Sequence, residues 1–158
     1  MLKVMDFQRA IDELNKELNK FRGGKHVTVG IHEAAGNVES GEITMAQLGA
    51  IQEFGTMDGR IPARPWLVPG VEGVTQDLID TIRNGVAAGE NVDTVLNRMG
   101  IVAQGAVQQY ITDLRTPPNA PSTIAQKGSD NPLIDTGAMR ASVTYVVQSG
   151  NRPTEEGL

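Results

Sequence analysis

The chain contains no cysteine, only six aromatic side chains in 158 residues, and no apolar run long enough to span a membrane. Without cysteine there is no disulfide framework, no thiolate nucleophile and no thiolate metal site, which excludes zinc ribbons and papain-like chemistry. Aromatic side chains carry the largest burial payload, so their scarcity predicts one modest core and an isolated chain of only marginal stability. An apolar stretch of roughly 18 residues is missing, and so is a basic patch followed by an apolar one. Both absences predict a soluble protein without an export signal or membrane partner. Positive charge is missing between residues 26 and 58, which hold five acids (Glu33, Glu39, Glu42, Glu53, Asp58) and no base. Residues 1–25 carry six bases and four acids, and the whole chain has a formal net charge of −5. Bulk composition therefore offers nothing to a phosphate backbone, while the uneven charge can orient one subunit against the next.

Hydrophobic residues make up 39% of the chain, enough for a folded domain, and 18 glycines and 8 prolines predict long loops between few elements. Val4, Phe7, Ile11, Leu14, Leu18 and Phe21 recur at helical spacing, with Asp12, Glu13, Lys16, Glu17 and Lys20 on the other face. The pattern predicts an amphipathic helix of about five turns, stopped by Gly23 and Gly24 and suited to packing along another helix. His26 to His32 alternates as a half-buried strand, and residues 34–42 read as a flexible acidic loop or hairpin tip. Thr44 with Gln47 forms a capping box opening a short helix, with Leu48, Ile51 and Phe54 inward and Gly55 as its stop. Pro62, Pro65 and Pro69 predict an ordered crossing loop over 56–70. Helices are expected from Val74 to near Gly89 and from Val92 to Leu114. The second contains Gly100 and Gly105, which predict close backbone packing or a kink.

Residues 116–135 are proline-rich and polar, with at most one helical turn around Ser122–Gln126 closed by Gly128. A turn after Thr136 leads into a last strand, Val143–Val147, and residues 149–158 have little to bury. The organisation expected is a single α+β domain over 1–148 with a flexible tail, 149–158. Its small antiparallel or mixed sheet joins both strands, with long helices packed on one face and extended loops. Segments 34–42, 116–135 and 149–158 are expected to take their order from neighbouring subunits.

Candidate chemistry is sparse. Leu133-Ile134-Asp135-Thr136-Gly137-Ala138 looks like the active-site loop of retroviral-type aspartic proteases, where two subunits each supply one Asp and share a proton. Such enzymes need several further strands, yet only 21 residues follow Gly137. The competing reading is a helix start, with Asp135 or Thr136 accepting from free backbone N–H groups. His26 and His32 lie about 20 Å apart along a strand, too far for one metal ion, and read as exposed strand histidines. No Ser, His and acid grouping stands out, so neither enzyme chemistry nor a cofactor or metal site is expected. A structural or interaction protein, as a homo-oligomer, fits the residues best.

Three segments carry a family resemblance. Glu53-Phe54-Gly55-Thr56, then Ile61-Pro62-Ala63-Arg64-Pro65-Trp66-Leu67-Val68-Pro69, then Pro117-Pro118-Asn119-Ala120-Pro121-Ser122 through Lys127-Gly128 into Asn131-Pro132-Leu133-Ile134-Asp135-Thr136-Gly137-Ala138-Met139-Arg140 resemble the neck, or tail-completion, proteins of tailed bacteriophages. Order and spacing match over roughly residues 25–148. The resemblance implies a non-enzymatic virion protein, present in the host cytoplasm during assembly. It would form a ring, usually of six subunits, at the head-tail junction between head-completion or connector proteins and the tail terminator or tube. DNA would pass through its lumen without specific binding. Glu53, Phe54, Gly55, Arg64, Pro65, Trp66, Leu67, Asp135, Thr136, Gly137 and Arg140 are then motif residues. Pro117, Pro118, Asn119, Ser122 and Lys127 are candidate inter-subunit contacts. A dimeric protease using Asp135 and a generic oligomeric adaptor are the alternatives.

Overall fold

The computed structural model describes residues 24–38, 41–133 and 137–150, with Asp12, Lys16 and Asn19 before them. The amphipathic helix expected from Val4 to Phe21 otherwise lies outside the described residues; Asp12, Lys16 and Asn19 are helical and exposed. Two seven-residue strands, β1 (Lys25–Ile31) and β2 (Val143–Ser149), form one antiparallel sheet in the register Lys25↔Ser149 to Ile31↔Val143. The protein has the small α+β fold expected, with the first and last described elements paired. Ser149, expected to begin a loose tail, instead pairs with Lys25, and the Gly150 N–H donates to the Gly24 carbonyl at 3.2 Å. Residues 151–158 lie outside the described residues.

Between the strands run six helices: α1 (Met45–Phe54), α2 (Leu67–Glu72), α3 (Thr75–Ala87), α4 (Val92–Asp113), α5 (Pro121–Lys127) and α6 (Ala138–Ala141). The long helix α4 is the hub and touches both strands, α2, α3 and α6. The odd-numbered face of the sheet lies against it. Val143 is fully buried, Gln108 Nε2 donates to the Val143 carbonyl at 3.1 Å, and the Tyr145 ring lies over Gly100. A Cβ at Gly100 would stand 2.1 Å from that ring, so the residue marks close packing as expected. Gly105 does not, since a Cβ there would meet nothing within 4 Å. The other face carries Thr28, His32 and Thr144, joined by hydrogen bonds of 3.1 and 3.0 Å through the His32 ring. His26 and His32 are therefore half-buried, not exposed, and His32 lies just past the strand end.

The core gathers Met45, Trp66, Val107, Ile111, Leu133, Met139 and Val143 from six different parts of the chain. Local signals place the helices well. Asn37 and Thr44 pair in an isolated antiparallel bridge, and the Val38 N–H donates to the Ile43 carbonyl at 3.0 Å. Helix α1 begins at the complete Thr44–Gln47 capping box and ends at Gly55, whose φ is 74°. A Cβ at Gly55 would stand 2.7 Å from the Ala63 nitrogen, so the chain needs glycine there for both conformation and space. Thr44→Ala removes the acceptor at one orphan amide of α1 and is expected to lower stability by about 1 kcal/mol, read as a shift in the urea unfolding midpoint.

Three expectations fail here for physical reasons. Phe54 points outward, 65% exposed, because the inward stripe of α1 runs through Met45, Gly49 and Glu53, one helical position earlier. The crossing loop ends at Trp66, because Pro69 stands in the first turn of α2, where its missing N–H has no intrahelical acceptor to lose. Helix α3 forms where expected, half-burying Leu78 and leaving Ile79, Ile82 and Val86 in solvent, with only Gly85 buried. Residues 116–133 are ordered against their own domain. Helix α5 makes about two turns, its Gly128 cap is left-handed, and Leu133 is buried.

Candidate functional site

Glu53, Arg64 and Trp66, with the carbonyls of Pro117 and Pro118, meet at one junction between α1, the 61–66 crossing and the 117–119 stretch. Glu53 is 7% exposed, and its carboxylate serves as the cap of α2. Oε2 accepts from the backbone N–H of Trp66 at 2.6 Å and of Leu67 at 2.9 Å, and Oε1 from that of Val68 at 3.4 Å. Trp66, the N-cap residue, offers no side-chain oxygen, so a side chain 13 residues earlier supplies it. The negative charge also stands at the positive end of a helix, where it is favoured. Trp66 is 3% exposed, and its indole Nε1 donates to the Gly49 carbonyl at 2.9 Å, which pins α2 to the middle of α1.

Arg64 is 6% exposed and also faces α1. Its backbone N–H donates to the Gln52 carbonyl at 2.7 Å. Its guanidinium donates from Nε to the Pro117 carbonyl at 2.9 Å and from Nη2 to the Pro118 carbonyl at 3.1 Å. Burial pulls its pKa down from the ordinary value, yet a guanidinium stays protonated at any physiological pH. Both carbonyls stand outside helix and strand, where no regular backbone ladder claims them. The Arg64 fork thus ties the second motif segment to the third.

Other expected site residues scatter around this junction. Pro65 and Ser122 are exposed, and Leu67 packs partly on the core. Lys127 donates from Nζ to the Asn131 carbonyl at 3.0 Å. Gly137, with a φ of 80°, starts α6, and Arg140 reaches the Thr112 hydroxyl at 3.1 Å. Asp135 and Thr136 lie outside the described residues, so neither reading of their loop is decided by geometry. Pro117, Pro118 and Lys127, expected as contacts between subunits, are engaged within the chain. A cleft of about 430 Å³ opens beside the junction, bounded by Met45, Leu48, Arg64, Asn119, Lys127 and Leu133.

Two contributors went unassigned in the sequence. Asn131, 6% exposed, donates from Nδ2 to the carbonyls of Thr112 at 2.8 Å and Ile111 at 3.2 Å, and accepts from the Leu133 N–H at 2.9 Å. It closes the C-terminal end of α4, where carbonyls lack intrahelical donors. Asp58 organises the turn after α1, accepting from the Thr56 hydroxyl at 2.7 Å and the Arg60 N–H at 3.1 Å. The Thr56 hydroxyl above all, and then the Arg60 amide, hold its pKa below the usual carboxylate range. A depressed folded-state pKa means that this order is present above the unfolded value and is lost as pH falls through the folded one. The protection of the Arg60 and Ile61 amides, measured against the intrinsic exchange rate at each pH, is expected to fall on acidification through that range, and Asp58→Asn to remove that fall.

No protein-family model matches this chain, and neither the curated proteins nor the solved structures contain a match.

Proposed function

We propose that this chain is a structural subunit of a tailed-bacteriophage virion that forms a ring at the head-tail junction and joins tail to head while DNA passes through. One observation carries the reading: the three segments that resemble tail-completion proteins interlock in a single buried junction. Glu53 and Arg64 spend their polar atoms on backbone groups of the other segments, and Trp66 donates to the Gly49 carbonyl of α1. Residues held in this way build a scaffold, and a scaffold is what a ring subunit must supply. The low-aromatic core and the exposed apolar stripe of α3 agree with a protein completed by its neighbours.

The test is a phage carrying a nonsense codon in this reading frame. Filled heads and finished tails that remain unjoined, and that join when purified protein is added, are expected. Normal joined particles without the protein would overturn the reading. Deleting residues 118–130 is a poor substitute, because it removes the carbonyl that holds Arg64 and the α5 packing together.

A further inference from the structure

Helix α3 rests on α4 through Gly85, where a Cβ would stand 2.4 Å from the Val95 side chain. Its flank, about a quarter-turn round from that contact, presents Ile79, Ile82 and Val86, 42%, 39% and 45% exposed, at the spacing of a single helical face. An amphipathic helix with its apolar face in water is a docking surface without its partner. The sequence holds one segment of matching form, since Val4, Phe7, Ile11, Leu14, Leu18 and Phe21 make a seam of about 25 Å if helical.

Charge favours the match. Residues 1–25 carry six bases and four acids, while residues 72–93 carry five acids (Glu72, Asp77, Asp80, Glu90, Asp93) and one base, Arg83. Where the two stretches already meet, they pair: Lys25 Nζ lies 2.7 Å from both carboxylate oxygens of Asp93, at the start of α4 and just beyond the end of α3. Lys25, the first residue of β1, thus stands near the end of α3, and Gly24 before it, with a φ of 66°, is a residue able to redirect the chain. Among the described residues nothing covers the stripe.

We infer that the stripe Ile79–Ile82–Val86 of one subunit receives the N-terminal segment, residues 4–21, of a second copy of this chain. Delivery from each copy to the next is head-to-tail, the type of contact that closes a ring when its rotation permits. In that respect the inference rests on the ring reading above.

The absence of native cysteine makes the test direct. Chains carrying Ile11→Cys, Leu14→Cys or Leu18→Cys are mixed with a differently tagged chain carrying Ile82→Cys and then oxidised. A mixed-tag disulfide dimer from at least one pairing is expected. Chains carrying both cysteines should give a ladder of oligomers. Cross-links confined within single chains, or none in any pairing, would overturn the inference. Ile82→Asp, at an exposed position, should leave the circular dichroism spectrum unchanged but weaken self-association about tenfold or more in sedimentation. Unchanged association would also overturn it. A neck ring seen without these cross-links would sink this contact alone. Cross-linked oligomers of a protein absent from virions would sink the ring reading alone.

Discussion

Glu53→Ala is expected to lower stability by about 3–5 kcal/mol, because it strands two or three buried backbone donors at the start of α2, each worth about 1–3 kcal/mol. The side chain is 7% exposed, so water cannot readily replace the lost oxygens. Glu53→Gln separates charge from shape. Both carboxylate oxygens face N–H donors, on Trp66 and Leu67 at one and on Val68 at the other. A carboxamide must turn its own N–H₂ toward one of these donors, so even the near-isosteric variant should lose about 1–3 kcal/mol. Urea denaturation reads both losses. A Glu53→Ala protein within about 0.5 kcal/mol of the parent would show that the carboxylate does not cap α2.

Trp66→Ala should cost about 3–5 kcal/mol, the range for removing a large buried aromatic. Trp66→Phe should cost less, because it keeps most of the packing but loses the bond from Nε1 to the Gly49 carbonyl. As the only tryptophan, Trp66 also reports its own surroundings, and its emission is expected to be blue-shifted in the native protein and to move red on unfolding. Emission at the fully exposed wavelength in the native state would contradict the packing.

These anchors show how much of the fold a reader of the sequence can reach. Thr44 with Gln47, Gly55 and Gly128 mark helix ends correctly because capping is chemistry between near neighbours. Helix α2 escapes notice for the opposite reason: its cap is Glu53, far back on another helix, and Pro69 reads as a breaker unless its place in the first turn is known. The periodicity of α3 reveals an apolar stripe but not what covers it, so an exposed stripe and a buried one look alike. Arg64 is recognisable as part of a motif, but its acceptors are backbone carbonyls, which every residue possesses. Gly100 and Gly105 look the same in the sequence, and only the position of Tyr145 tells them apart.

The pairing of β1 with β2 also bears on how the protein is made. Among the described residues, β2 is the only strand that pairs with β1, and Ile31 meets Val143 across more than a hundred intervening residues. At roughly 5–20 residues per second, a ribosome needs roughly 6–20 s to produce that partner. Through this interval β1 has an unpaired edge, the kind of surface that recruits other nascent chains. Its composition suits the wait: Lys25 adds charge, His26 and Thr28 break the apolar run, and Gly30 weakens the strand's tendency to stick.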